Sequence, residues 1–332
     1  MAVETNSART AQALWYVAPG RAELRPARVD PPGAGAALVR ARFSALSRGT
    51  ERLVFAGKVP ESEYIRMRAP MQEGDFPFPV KYGYCAVGVV EEGPADWLGQ
   101  NVFCLHPHQS LFVAPLDRLA RLPAGLPPRR ATLAANMETA LNALWDSGAG
   151  PGDRIVVVGA GVVGLLVAWL AARLPGAEAT IVDIDASRET VASALGVRFA
   201  TPRNAPGEAD VVFHASATAA GLAQALRAGG AEARIIELSW YGAGETTVAL
   251  GGAFHSRRLR LIASQVGEIA ASRRPRWTYA RRLAKALDLL GDASLDALIT
   301  GEVAFEDLPA ALPDLLGASP TGLTSVAAYR PA

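Results

Sequence analysis

Three glycines and one aspartate carry the densest chemistry in the chain. In Val156-Val157-Val158-Gly159-Ala160-Gly161-Val162-Val163-Gly164, an apolar β-branched run gives way to G-x-G-x-x-G and then to a helix-compatible stretch. Gly159 permits a tight turn, Gly161 lets a diphosphate approach the backbone, and Gly164 lets the helix pack on the strand. A helix opening at Val162 and Val163 offers unpaired N–H groups and a positive dipole end to that diphosphate. The glycines alone are weakly specific, since a turn with no ligand can use the same pattern. The next apolar run, Ala179–Val182, ends in Asp183, about 20 residues on, where a carboxylate accepts both adenosine-ribose hydroxyls and repels a 2′-phosphate. These residues predict a dinucleotide site that takes NAD in preference to NADP. Arg188 is the nearby feature that would favour NADP, unless it only contacts the ribose edge. Ser216, after a run ending at His214, and Trp240–Tyr241, after the following run, fall where the cofactor pocket needs a wall. His214 itself reads as a packed or ribose-adjacent residue.

Elements must position these groups, and 332 residues suffice for about two domains with a large core. Up to about residue 125 the chain is a series of short apolar runs separated by Gly and Pro; Ala36–Phe43, Tyr84–Val90 and Asn101–Leu105 read as strands of a β-rich domain. Within it, 55–79 is a long segment with Tyr64, Met67 and Met71 among Arg66, Arg68 and Glu73, the composition of a functional lid. After Arg129–Arg130 the texture changes. A helix is expected over Ala131–Trp145, then strand, glycine turn, helix and strand over Asp153–Asp183. Ser187 is placed as an N-cap and Gly196 as the stop of the next helix. Strands follow at Asp210–His214, Arg234–Ser239 and Leu259–Ser264, with a helix near Thr218–Ala228. Alternation of this kind predicts an α/β fold with a doubly wound parallel sheet covered on both faces. The tail reads as two helices, Tyr279–Leu290 and Phe305–Leu316, and a last strand near Leu323–Tyr329.

Composition excludes several classes. Hydrophobic residues make up 50% and charged residues 20%, which rules out intrinsic disorder. Basic and acidic residues nearly cancel, 33 against 32, so no general attraction to nucleic acid is expected. Cys85 and Cys104 are too few for a disulfide framework or a four-thiolate zinc site, and they suit a reducing, cytoplasmic setting. The uncharged run Ile155–Ala172 has the length of a membrane span. Asp153 and Arg154 abut it and its glycines break it, so a strand turning into a buried helix is expected, and no membrane association. The N-terminus lacks an apolar run long enough for a signal peptide.

Taken together, the chain resembles the medium-chain dehydrogenase/reductase superfamily. Ser47-Arg48-Gly49-Thr50-Glu51 resembles the Cys-x-Ser/Thr-Asp stretch of zinc alcohol dehydrogenases, Tyr82-Gly83-Tyr84-Cys85-Ala86-Val87-Gly88 their Gly-His-Glu-x-x-Gly, and Ala135-Asn136-Met137-Glu138-Thr139 the segment where a third ligand precedes a nicotinamide-contacting threonine. The run Ser47–Leu53 is similar to the bacteriochlorophyllide a dehydrogenase branch, which oxidises a 1-hydroxyethyl group with NAD. The resemblance implies a β-rich, GroES-like catalytic domain (1–125 and 270–332), a Rossmann domain (126–269), Thr139 among the cofactor contacts, and a homodimer joined through Rossmann strands. Where that family places zinc ligands, this chain has Arg48, Tyr84 and Ala135, none a normal zinc donor, so no catalytic zinc is expected.

Without a metal, side chains must supply the field that polarises a carbonyl. Arg48 is a fixed cation suited to a developing oxyanion. Tyr84 can act as acid or base if a cation such as Arg48 or Lys81 lowers its pKa. Thr50 keeps the hydroxyl of the family's proton relay. Against this stands a plainer reading: Tyr84 fills the space of a lost ligand, and Arg48 pairs with Glu51 or Glu138. Cys104, His106 and His108 alternate and on a strand would share a face, which suits either metal ligands or structural residues, although Pro107 interrupts them. The arginine clusters around 257–260 and 273–282, with Arg66 and Arg68, are either solvated faces or contacts for an anionic small-molecule substrate. The expected function is zinc-independent NAD(H)-dependent interconversion of a secondary alcohol and its ketone. The alternatives are a zinc-free NAD(P)H-dependent enoyl or quinone reductase, and an inactive dinucleotide-binding redox sensor.

Overall fold

Alternating apolar and polar residues build the antiparallel part of the molecule, and continuous apolar runs build the parallel part. The computed structural model describes residues 8–317 and 322–330. They divide into two units, Met1–Ala135 with Ile299–Ala332, and Asn136–Leu298.

The strands of the first unit are β1 (Arg9–Ala18), β2 (Arg21–Val29), β3 (Ala36–Ala45), β4 (Glu73–Gly74), β5 (Val80–Lys81), β6 (Ala86–Glu92), β7 (Asn101–Cys104), β8 (Leu111–Pro115) and β9 (Leu119–Arg121). One sheet runs β2-β1-β5-β4. In β3, Ala37, Leu38 and Val39 are buried because the strand is clamped antiparallel between β6 and β8. The helix α1 (Arg48–Phe55) buries Leu53, Val54 and Phe55. The segment 55–79 folds on itself: the Tyr64 ring lies 5.7 Å from Phe76, Arg66 pairs with Glu63 and Arg68 with Asp75. The strand expected from Tyr84 starts two residues later, at Ala86, which leaves Tyr84 in the preceding loop.

The helix expected over Ala131–Trp145 is two helices, α2 (Pro128–Ala131) and α3 (Ala134–Ser147). Thr132 ends the first, its hydroxyl donating to the Arg129 carbonyl. The second unit then alternates β10 (Arg154–Val158), α4 (Val162–Ala171), β11 (Glu178–Val182), α5 (Arg188–Ala194), β12 (Arg198–Ala200), β13 (Ala209–His214), α6 (Ala219–Ala228), β14 (Gly229–Glu237) and β15 (Arg260–Ala263). All neighbouring pairs are parallel, in the order β12-β11-β10-β13-β14-β15. Ile155 to Val158 are all buried, as strands covered on both faces must be. From Gly164 to Ala171, α4 is buried throughout, which accounts for the membrane-like hydropathy of its sequence. Among the described residues no helix is long and apolar enough to cross a membrane.

The return to the first unit comes at Ile299, not near 270 as expected. Helix α7 (Tyr279–Leu289) stays with the second unit because Arg282 is pinned to α3 through Glu138 and Asn142. Beyond it come β16 (Ile299–Ala304), α8 (Leu308–Leu316) and β17 (Thr324–Ala328), and the two strands complete the larger sheet of the first unit, β16-β17-β3-β6-β7-β9 with β8 also paired to β3.

Candidate functional site

In the second unit, the carboxyl ends of the parallel strands gather most of the residues expected to hold a dinucleotide. The strand order reverses between β10 and β13, and ligands of such sheets bind in the crevice at that point. Gly159 turns with φ +109, and a Cβ there would stand 2.8 Å from the Ser216 nitrogen. A Cβ on Gly164 would meet the Gly159 carbonyl oxygen at 1.9 Å, so helix and turn pack backbone to backbone. Gly161 is the N-cap of α4, with no side chain capping the helix, and the space beside it is open. The first-turn residues Val162 and Val163 are partly exposed, leaving their end of the helix accessible to an anion.

Asp183 follows the last residue of β11. Its Oδ2 accepts from the Ala160 N–H at 2.6 Å and its Oδ1 from the Asp185 N–H at 2.9 Å. The carboxylate is therefore fixed against the glycine turn with lone pairs remaining for a ribose. Arg188 pairs with Asp185 at 3.1 Å instead of standing ready for a phosphate. Ser187 precedes α5 without a side-chain cap, its hydroxyl donating to Asp185. Thr139 is partly exposed on α3, and one turn earlier the buried Asn136 Oδ1 has no hydrogen-bond partner among the described residues, an acceptor suited to an amide donor. Trp240 and Tyr241, partly exposed after β14, lie at the same sheet edge. These features fit a dinucleotide.

In the first unit, Tyr84 and Thr50 come together and Arg48 turns elsewhere. The Tyr84 hydroxyl donates to Ser47 Oγ at 2.5 Å, and Thr50 also hydrogen-bonds the phenol. Burial, with Cys85 and Glu51 nearby, pushes the Tyr84 phenol well above its ordinary value; the bonds to Ser47 and Thr50 offset this only in part. The expected cation is missing from that balance. Arg48 donates to the Gly322 and Leu323 carbonyls at 2.5 and 3.1 Å, and the buried Lys81 bonds to Glu73 and Gln109. Tyr84 is thus a neutral donor and not a phenolate. Neither carboxylate suggested for Arg48 is its partner: Glu138 pairs with Arg282 at 3.0 Å, and Glu51 belongs to a different network.

That network is the part of the first unit the sequence did not reveal. Fully buried Glu51 accepts from the Tyr16 hydroxyl at 2.7 Å, from the Ser47 N–H at 2.6 Å and from His108 Nε2 at 2.9 Å. His108 Nδ1 contacts Ser44 Oγ at 2.7 Å, which in turn meets the Tyr329 hydroxyl at 2.8 Å. Burial by itself would raise the Glu51 carboxyl, but His108, Ser47 and Tyr16 outweigh it and hold the group below its ordinary value. The readable signal was a glutamate four residues after a serine, positioned to reach back to the start of its own helix.

Cys104, His106 and His108 do not share a strand face, since β7 ends at Cys104. His106 stacks on Phe112 with ring centroids 3.9 Å apart, its Nδ1 bonds to the Pro107 carbonyl, and burial lowers it to about 3. Burial pushes the Cys104 thiol up to about 12. Among the described residues no group of three or more His, Cys, Asp or Glu side chains is placed to hold a metal ion.

No protein-family model matches the chain. An uncharacterized zinc-type alcohol dehydrogenase-like protein of Haemophilus influenzae is 30% identical over 213 residues, 62% of this chain and 60% of that protein. The chain thus matches less than two-thirds of that relative's length. Among solved structures, L-idonate 5-dehydrogenase of Escherichia coli superposes with a TM-score of 0.80 at 14% identity, covering 97% of this chain and 99% of that one. A zinc-binding dehydrogenase from Sinorhizobium meliloti, bound to NADP, superposes at 0.77 with 17% identity, covering 96% and 99%.

The chain shares the fold of these dehydrogenases.

The positions where the resemblance to zinc alcohol dehydrogenases puts ligands hold a guanidinium committed to carbonyls (Arg48), a protonated phenol (Tyr84) and a methyl group (Ala135). This donor set does not fit zinc. The arginines of the two basic clusters are largely engaged: Arg257 with Glu208, Arg258 and Arg260 with Glu232, and Arg274 with Glu268. Arg281 stacks on Trp277, its guanidinium carbon 4.1 Å from the ring centroid. One feature of the dinucleotide side also escaped the sequence reading. His214 and Glu237 end adjacent strands in register and bond to each other, a pairing visible only once the strand order is known.

Proposed function

We propose that this protein is a medium-chain dehydrogenase/reductase, an NAD-dependent oxidoreductase that interconverts a secondary alcohol and its ketone by hydride transfer, without zinc. The observation that carries the reading is Asp183, held by the Ala160 N–H against the glycine turn, where its charge accepts ribose hydroxyls and repels a 2′-phosphate. The Sinorhizobium protein was solved with NADP, so the preference for NAD rests on Asp183 and on Arg188 being paired with Asp185. The N-terminus of α4 binds the diphosphate, and Thr139 and the Asn136 oxygen orient the amide end. When bound, the nicotinamide supplies the hydride acceptor. In the first unit Tyr84 holds its proton at neutral pH, and turning that O–H from Ser47 Oγ to a carbonyl oxygen makes it the donor, with the Ser47 and Thr50 hydroxyls left to return a proton.

The test is reduction of NAD by a panel of secondary alcohols, and NADH oxidation by the matching ketones, after exhaustive chelation and with metal content measured on the same sample. Turnover that survives chelation supports the reading. Turnover that requires stoichiometric zinc, or that runs only with enones or quinones, overturns it.

A further inference from the structure

The second unit sets a buried histidine against a partly buried glutamate at the carboxyl ends of two neighbouring strands. His214 is fully buried at the carboxyl end of β13, and Glu237 at the end of β14 is its partner in register. His214 Nδ1 lies 2.9 and 2.8 Å from the two Glu237 oxygens. Burial would raise the Glu237 carboxyl, but the His214 hydrogen bond and charge and the bonds from Ser239 outweigh it and keep the group ionised. An ionised carboxylate only accepts, so Nδ1 carries the proton. Taking polar side chains out of water costs stability unless their hydrogen bonds are met, so a histidine and a carboxylate placed here call for a further use.

The partners of the pair show that use. Glu237 receives the Ser239 N–H at 2.8 Å and the Tyr241 hydroxyl at 3.2 Å. His214 Nε2 meets Ser216 Oγ at 2.8 Å, and Ser239 Oγ accepts from the Ala217 N–H at 3.0 Å, where Ala217 holds φ +52. Every partner lies in the two segments that leave β13 and β14 at the ligand edge of the sheet. One of these segments crosses directly over Gly159, as the 2.8 Å approach of the Ser216 nitrogen to a Cβ there requires. Asp183, at the end of β11, places the adenosine on the other side of β10. The segments after β13 and β14 therefore face the second nucleotide of the dinucleotide, the half that carries the nicotinamide.

We propose that His214 and Glu237 are positioning residues that lock the 215–218 and 238–241 segments into the shape that receives the nicotinamide half of the cofactor, while the adenosine half binds without them. The proposal rests on the dinucleotide reading above and assigns the pair no contact with substrate. Glu237 faces three donors (His214, Ser239 and Tyr241), and an amide in its place must turn its NH₂ toward at least one of them. That reverses the bond to Nδ1 or expels Tyr241, and loosens both segments.

The experiment titrates wild type, Glu237→Gln, His214→Phe and Tyr241→Phe with NADH and with ADP, reading binding by calorimetry and the emission of bound NADH. Melting temperature serves as the folding control. Glu237→Gln and His214→Phe are expected to weaken NADH about tenfold, as loss of a buried charged hydrogen bond does. They should also return the NADH emission toward its free-solution spectrum and keep ADP affinity within about twofold. Tyr241→Phe, which leaves His214–Glu237 intact, is expected to show a smaller loss of the same kind. Equal weakening of NADH and ADP in Glu237→Gln, or wild-type NADH affinity and emission in both Glu237→Gln and His214→Phe, overturns the proposal. Failure of wild type to bind either ligand overturns the dinucleotide reading itself, an outcome distinct from these.

Discussion

A phenol that cannot ionise at neutral pH can still polarise a carbonyl, which is the role proposed for Tyr84. Its pKa is raised by burial, and its hydroxyl is held by Ser47. Tyr84→Phe removes the donor while keeping the ring that packs edge-on to Tyr82 at 5.9 Å. The expected outcome is a fall in kcat of about a hundredfold, in the range of general acid catalysis, with NADH affinity unchanged. Unchanged kcat in steady-state assays would remove Tyr84 from the chemistry. His106 supports a second residue-level prediction. Its folded pKa is about 3 against an ordinary 6.5, so between those values the unfolded chain binds a proton the folded chain does not. Stability contributed by neutral His106 is present above about pH 6.5 and is lost as pH falls toward 3, by up to about 3 kcal/mol at pH 4. His106→Phe, which keeps the stack on Phe112, is expected to flatten that part of the pH–stability curve in urea titrations. An identical acid limb in the variant would contradict it. The identity of these residues was legible in the sequence, but their state was not. Pattern alone suggested a cation beside Tyr84, and only the fold sends Arg48 to the 322–323 carbonyls and Lys81 to Glu73.

Elements were legible where periodicity was strong. The β10–turn–α4–β11 unit, the helix Ala219–Ala228 capped by Thr218, and the stop at Gly196, with φ +69, all follow from local chemistry. The β1–β2 hairpin and the short β12 were not singled out, because their stability comes from pairing partners that sequence spacing does not display. Nor did periodicity assign α7 to its unit. That depends on Arg282, which reaches the buried Glu138, Asn142 and the Val266 carbonyl. Burial raises the Glu138 carboxyl, and Arg282 offsets this only in part. Arg282→Met is expected to destabilise the second unit by about 3–5 kcal/mol, since it leaves a buried acid uncompensated. Adding Glu138→Leu should recover much of that loss. Additive losses in denaturant unfolding would mean that the pair does not couple α7 to α3.

For the whole molecule, the near-neutral charge balance leaves recognition of the proposed dinucleotide to local geometry, so discrimination between NADH and NADPH should trace to one carboxylate. A ligand that binds only the folded state stabilises it by RT ln(1 + [L]/Kd), about 2.7 kcal/mol at a hundredfold excess over Kd. At equal millimolar concentrations, NADH is therefore expected to raise the melting temperature by several degrees and NADPH by less. Asp183→Ser removes the repulsion of the 2′-phosphate together with an acceptor for the ribose hydroxyls. In that variant the NADH shift should shrink and the NADPH shift should rise to meet or exceed it. Arg188 then decides how far: freed from charge competition at Asp183 yet still tied to Asp185, it can follow the phosphate only by breaking that pair. Asp183→Ser/Asp185→Ala is accordingly expected to bind NADPH more tightly than Asp183→Ser alone. If both variants keep the wild-type order of the two shifts, cofactor choice is set elsewhere in the second unit and Asp183 is no more than a turn residue accepting the Ala160 N–H.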